Sequence, residues 1–122
     1  MRIGIDLVAI VDVSESIKRF GNGYLDRLFT SRELEECAGD TEQLALQLAA
    51  RFAAKEAATK VLRPVDQAVA WKSIEVQRAS GGWTELVLRG AAAALAREQG
   101  LSDFAVSLSH DGGFAAAVVV AN

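Results

Sequence analysis

The stretch from Thr41 to Leu62 constrains this chain most. It is dense in Ala, Leu, Gln and Glu and holds no glycine or proline, and Leu44, Leu48, Arg51, Phe52, Lys55, Glu56, Thr59 and Lys60 recur in it at helical spacing. One long helix is predicted there, ended by Pro64, the only proline. Whatever else the chain forms must pack around that rod. With 122 residues, 51% of them apolar, it can enclose one core, and residues 1–122 are read as a single domain.

Strand patterns flank the helix on both sides. Ile3, Ile5 and Leu7 alternate with Gly4, Asp6 and Val8, which places an acid inside an N-terminal strand. Ser14 is a candidate N-cap for a short helix to Phe20; Gly21-Asn22-Gly23 breaks it, and Tyr24 to Phe29 adds a turn or two. Thr30-Ser31-Arg32-Glu33 fits a capping box opening a third short helix, which Gly39-Asp40 ends. Trp71 to Val76 and Glu85 to Leu88 read as a hairpin around Ser80-Gly81-Gly82. Ala91 to Gln99 reads as a helix closed by Gly100, and Phe104 to Ser109 with Phe114 to Val120 as a last strand pair.

Composition removes several functions. The net charge of −3 argues against a nucleic-acid binder, which needs clustered Lys and Arg to displace counterions. No run approaches the roughly eighteen apolar residues of a membrane span, and the N-terminus reads as a strand rather than a leader, so a soluble, cytoplasmic protein is expected. Cys37 is the only cysteine, which leaves no internal disulfide and gives it no catalytic role.

The chemistry-bearing residues leave alternatives open. At about 3.6 residues per turn, Phe52, Glu56 and Lys60 share one helix face, with Arg51 and Lys55 on a neighbouring stripe. Glu56 and Lys60 are either an ordinary surface pair or part of a site. Asp6, a carboxylate in an apolar strand, needs a compensating partner: a salt bridge to Lys55 or Lys60, or a divalent cation shared with Glu56 if the long helix crosses this strand. Mg²⁺ suits such a sparse pair, because it keeps several waters and completes its shell with substrate phosphates. His110, the only histidine, is either a turn residue or a phosphate donor; a Ser-His-Asp triad from Ser107, Ser109, His110 and Asp111 is disfavoured, since adjacent strand residues face opposite ways. Gly82 belongs to a hairpin turn whose glycines can also admit a ligand closely, and Trp83 is either a packing residue or part of an adenine-facing wall.

Together, Gly4-Ile5-Asp6-Leu7-Val8, Phe29-Thr30-Ser31-Arg32-Glu33-Leu34, Arg51-Phe52-Ala53-Ala54-Lys55-Glu56-Ala57 with Lys60, and Ser107-Leu108-Ser109-His110-Asp111 resemble the holo-acyl-carrier-protein synthase family of 4′-phosphopantetheinyl transferases. The resemblance spans nearly the whole chain. It implies an α+β fold, an antiparallel sheet packed against one long helix, and a homotrimer with active sites at subunit interfaces. It also implies Mg²⁺-dependent transfer of phosphopantetheine from coenzyme A to a serine of an acyl carrier protein, releasing adenosine 3′,5′-bisphosphate. By the resemblance, Asp6 and Glu56 are the metal ligands and Lys60 meets the pyrophosphate. Arg51, Lys55 and the Gly82 turn lie near coenzyme A, and His110 reaches its phosphates across a subunit boundary. Glu56, Asp6 through a metal-bound water, or Asp111 takes the serine proton.

Two positions depart from the family pattern. Asp12 and Glu15 stand where a basic residue is common in the helix that docks the carrier, which leaves Lys18, Arg19 and Arg27, with Tyr24, to meet it. Trp83 stands where the family's turn often has a proline. The carrier therefore serves either fatty-acid synthesis or a polyketide or peptide synthase. Two rivals keep the sequence but not the reaction: a non-catalytic protein that binds coenzyme A or a carrier, and a metal-dependent phosphohydrolase.

Overall fold

The long helix, α4 (Thr41–Leu62), forms over the predicted span. Its start is set by Asp40, whose side chain accepts from the Gln43 amide at 2.9 Å while the Gln43 side chain accepts from the Asp40 amide at 3.0 Å, a reciprocal cap. Its end is set by Arg63, held in the left-handed region at φ 49° ahead of Pro64. Ala45, Ala49, Ala53, Ala54, Ala57 and Ala58 are all fully buried. These small side chains lie on several sides of the helix, so α4 is a central rod packed from many directions rather than an amphipathic helix with one wet face.

The computed structural model describes all 122 residues. Three strands form an antiparallel sheet in the order β1 (Arg2–Ala9), β5 (Phe114–Ala121), β4 (Phe104–Asp111). The register sets Asp6 beside Ala117 and Ala117 beside Leu108, and Val8 beside Ala115 and Ala115 beside His110. A separate hairpin joins β2 (Ile74–Arg78) to β3 (Thr84–Leu88). The fold is α+β, with an antiparallel sheet laid on one long helix. Two apolar clusters grip α4. One joins its second half to β2, β5 and α5 (Gly90–Glu98) through Val61, Leu62, Ile74, Leu95 and Val119. The other joins its first half to α1 (Ile10–Phe20), α2 (Asn22–Leu28) and the segment ahead of α3 (Ser31–Glu36) through Val13, Leu28, Phe29 and Leu48.

Three local expectations are corrected. Ser14 is not an N-cap: α1 begins at Ile10 with Ala9 before it, and the buried Ser14 hydroxyl instead donates to Glu42 at 3.0 Å. Trp71–Ser73 is a short 3₁₀ turn, and the strand begins only at Ile74. Gly39-Asp40 is not the end of α3, which stops at Glu36, but the start of α4.

Gly4 governs how closely sheet and helix approach. A methyl group there would lie 2.3 Å from the Ala57 carbonyl oxygen of α4, so only glycine lets β1 come this near. Gly4, Asp6 and Val8 consequently face α4, while Ile3, Ile5 and Leu7 face outward with 71%, 62% and 63% of their surface exposed.

Candidate active site

That close crossing brings Asp6 of β1 against Glu56 and Lys60 of α4. The Lys60 ammonium donates to Asp6 Oδ1 at 3.2 Å and to the Ile5 carbonyl at 2.7 Å. The salt bridge to Lys60 foreseen as one alternative for Asp6 therefore exists, but it uses one carboxylate oxygen only. Asp6 Oδ2 is buried and has no hydrogen-bond partner. Burial raises the Glu56 carboxyl above its ordinary range, the Asp6 charge raises it further, as does the hydrogen bond that only a protonated Glu56 could donate to Asp6, and Lys60 offsets this in part. Two acids thus share too little positive charge, and one buried oxygen is left unsatisfied at a cost.

A divalent cation fits this deficit. Asp6 and Glu56 could hold it, the orphaned Oδ2 being the free ligand atom. No group of three His, Cys, Asp or Glu side chains converges anywhere in the chain. The protein would supply two carboxylates, leaving other positions for water or substrate oxygens, as suits Mg²⁺.

The acids line a cleft of about 360 Å³ whose other walls include Phe52 of α4, Asp12 and Ser16 of α1, and Tyr24 of α2. Burial raises the Tyr24 phenol above its ordinary value. The sequence does not single out Asp12 as a neighbour of the acids. Its spacing from Asp6 carried no signal, because a strand turns directly into a helix between them.

The Arg51 and Lys55 stripe turns away from the cleft. Lys55 is fully buried, and its ammonium donates to Glu33 Oε1 at 2.7 Å, to the Trp71 carbonyl at 3.0 Å and to the Ile74 carbonyl at 2.7 Å. All three donors are spent, so its expected place beside coenzyme A is corrected to a structural one. Burial lowers the Lys55 pKa, and Glu33 pulls it back. Glu33 itself accepts from the Thr30 amide at 2.9 Å and the Val76 amide at 3.0 Å. The Thr30-Ser31-Arg32-Glu33 motif is therefore a capping box whose acid also anchors α4 and β2. Arg51, only 3% exposed, donates to Glu36 at 3.0 Å and the Val76 carbonyl at 2.8 Å.

Arg51 also lines a second cavity of about 250 Å³, with Arg78, Gln47, Thr84, Ser109 and His110. Gln47 precedes Glu56 by nine residues, about two and a half turns, so the two point in opposite directions and the two cavities occupy different sides of α4. Within one chain, His110 is therefore not brought to Asp6 and Glu56. Arg78 is a cation that spacing did not single out. It closes a strand that folds back in the hairpin, and only the folded hairpin sets it near Arg51. Asp111 is exposed at the end of β4 and lines neither cavity, nor does Gly82, which takes φ +95° in the hairpin turn. No hydrogen bond links His110 to Ser107, Ser109 or Asp111, so no triad forms. Trp83 is 61% exposed, with its indole N–H donating to Glu85 at 2.9 Å.

On the α1 and α2 side, Lys18 is engaged by Glu42 at 3.2 Å and Arg19 lies 5.1 Å from the centre of the Phe20 ring. Arg27 joins Phe20, Gly23 and Tyr24 around a shallow recess. The cations expected to meet a carrier thus lie along one rim, next to Asp12 and Glu15, which share a groove with Arg19.

The sequence matches the 4′-phosphopantetheinyl transferase superfamily over residues 2–119. It is 39% identical to the holo-[acyl-carrier-protein] synthase of Gloeobacter violaceus, over 97% of this chain and 89% of that one. Against the enzyme of the same name from Carboxydothermus hydrogenoformans it is 41% identical, over 96% of this chain and 94% of that one. The fold superposes on the Helicobacter pylori holo-[acyl-carrier-protein] synthase in complex with coenzyme A with a TM-score of 0.85 at 28% identity, covering 99% of this chain and 100% of that one. A paired acid site beside a lysine, on a fold and a sequence shared end to end with these enzymes, leaves one assignment: the chain belongs to the 4′-phosphopantetheinyl transferase superfamily.

Proposed function

We propose that this chain is a holo-acyl-carrier-protein synthase: it transfers 4′-phosphopantetheine from coenzyme A to a serine hydroxyl of an apo acyl carrier protein and releases adenosine 3′,5′-bisphosphate. The observation that carries the reading is the convergence of Asp6, Glu56 and Lys60, with Asp6 Oδ2 left buried and unpartnered. The enzymes it resembles over nearly their whole length are named for this reaction.

In the reaction, the carrier serine oxygen bonds to the phosphorus that bears the pantetheine arm. The phosphoanhydride bond breaks, the nucleotide bisphosphate leaves with the electron pair, and the serine proton passes to a base. Lys60 neutralises charge gathering on the pyrophosphate. Asp6 and Glu56 would hold Mg²⁺, which when bound supplies Lewis-acid stabilisation of the phosphate oxygens. Glu56, which lines the cleft together with Asp6, is a candidate for that base.

The cavity of Arg51, Arg78 and His110 suits the phosphates at the nucleotide end of coenzyme A. Since one chain keeps that cavity apart from Asp6 and Glu56, a homotrimer that sets one subunit's cavity against another's acids completes the site. The outward Ile3, Ile5 and Leu7 face supports this: Val120 and Val118 extend it beside Ile3 and Ile5, and a monomer rarely leaves such a patch bare. No helix is long and apolar enough to cross a membrane, and a cytoplasmic site of action, with the whole of residues 1–122 acting as one unit, belongs to the same reading.

Incubating the chain with apo carrier, coenzyme A and Mg²⁺ and weighing the carrier by mass spectrometry tests the proposal. A carrier heavier by one phosphopantetheine is expected. No gain with any of several carriers would reject it in favour of a non-catalytic binder. Breakdown of coenzyme A without a carrier would point to a phosphohydrolase.

A further inference from the structure

Arg63 stands directly after α4, at φ 49° and ψ 56°, in the left-handed conformation that glycine adopts freely and other residues do not. Asp66 is the only other non-glycine residue with positive φ, and aspartate tolerates that region better than arginine. The Arg63 amide donates to the Thr59 carbonyl at 3.1 Å, but its side chain is exposed and makes neither a hydrogen bond nor an ion pair within the chain. A long cation thus occupies a position where the backbone favours glycine, and nothing inside the protein uses it.

Its placement says what does. Arg63 follows Glu56 by seven residues, which returns it to within about 20° of the same helix face. It follows Lys60 by three, about 4.5 Å further along the axis. The Arg63 Cα therefore stands at the Lys60 end of the Phe52, Glu56 and Lys60 face, and although its left-handed backbone turns the side chain off the helical direction, a side chain of that length can reach the Lys60 ammonium. Lys60 is partly occupied by Asp6 and Ile5, whereas Arg63 has every donor free.

We propose that Arg63 is a further donor-binding residue, whose guanidinium contacts the pyrophosphate of coenzyme A next to Lys60. This rests on the transferase reading above. A planar fork of N–H donors suits phosphate oxygens, and the contact adds affinity for coenzyme A and shares with Lys60 the charge that gathers on the pyrophosphate. The competing explanation is that Arg63 merely complements the negative C-terminal end of α4. The two differ in what removal does. A cap-only role changes stability and leaves coenzyme A binding alone. A ligand role does the reverse, since glycine relieves the backbone.

Calorimetric titration of coenzyme A into the assembled wild-type protein, Arg63→Gly and Arg63→Lys, with steady-state kinetics and melting temperatures for each, decides between them. Arg63→Gly should bind coenzyme A about tenfold more weakly at low salt. Its kcat should fall as well, because the same contact helps neutralise the leaving pyrophosphate, and its Tm should be unchanged or higher by about a few °C. Arg63→Lys should recover most of the affinity, and the gap between wild type and Arg63→Gly should narrow as salt rises. Wild-type affinity in Arg63→Gly, or a rise in KM confined to the carrier, would overturn the role. A wild-type chain that binds no coenzyme A would instead overturn the transferase reading, and this role with it.

Discussion

Asp6 is the most costly residue in the chain to leave as it is. It has one oxygen on Lys60, the other buried without a partner, and Glu56 close enough to share a proton. In the proposed function a bound cation relieves this tension, and Glu56→Gln should reveal it. Transfer should fall by at least about a hundredfold, while the melting temperature of the metal-free protein stays level or rises because a like charge has gone. Lys55 behaves oppositely, although it lies one position away. Lys55→Met strands the buried Glu33 and should cost about 3–5 kcal/mol in chemical denaturation, and adding Glu33→Gln should recover part of the loss. Glu75 gives the pH signature of the fold. Burial alone would raise its pKa, but hydrogen bonds from Thr30, Gln77 and Arg89 outweigh that and bring it from 4.5 to about 2. The folded value lies below the unfolded one, so the stabilisation is whole above pH 4.5 and is lost as pH falls towards 2. It amounts to about 3 kcal/mol at its upper end. Melting curves across that window should fall less steeply for Glu75→Gln than for wild type.

At the scale of elements, the crossing of β1 over α4 makes the site. Gly4→Ala drives a methyl group into the Ala57 carbonyl, so the strand must lift from the helix. We expect a loss of about 1–3 kcal/mol together with a drop in kcat, because Asp6 moves with the strand. The sequence disclosed α4, the strands and the shared face of Glu56 and Lys60 well, since periodicity and end signals report local structure. It did not disclose which cations on α4 face the cleft. Arg51, Lys55 and Lys60 look alike at helical spacing, and only the packing of α3 and β2 against one stripe consumes the first two. In the sequence Asp12 is legible only as a departure in carrier docking, and its position on the acid cleft follows from the direct strand-to-helix turn of the fold. For Asp12→Arg we expect faster association with an acidic carrier at low salt, fading as salt rises, as stopped-flow binding would show.

At the scale of the molecule, one chain holds two separate cavities on different sides of α4 and an outward apolar strand face that has no cover. The homotrimer we propose would account for both: burying Ile3, Ile5 and Leu7 between subunits would set the His110 cavity of one against the acids of another. The most direct measurement mixes two inactive variants, Glu56→Gln and His110→Ala, allows subunits to exchange, and weighs the carrier after incubation with coenzyme A and Mg²⁺. A composite site predicts that each variant alone transfers little and that the mixture regains phosphopantetheine transfer, because some interfaces then pair an intact Glu56 with an intact His110. A mixture that has demonstrably exchanged subunits yet stays as inactive as its parts, while wild type transfers, would contradict it.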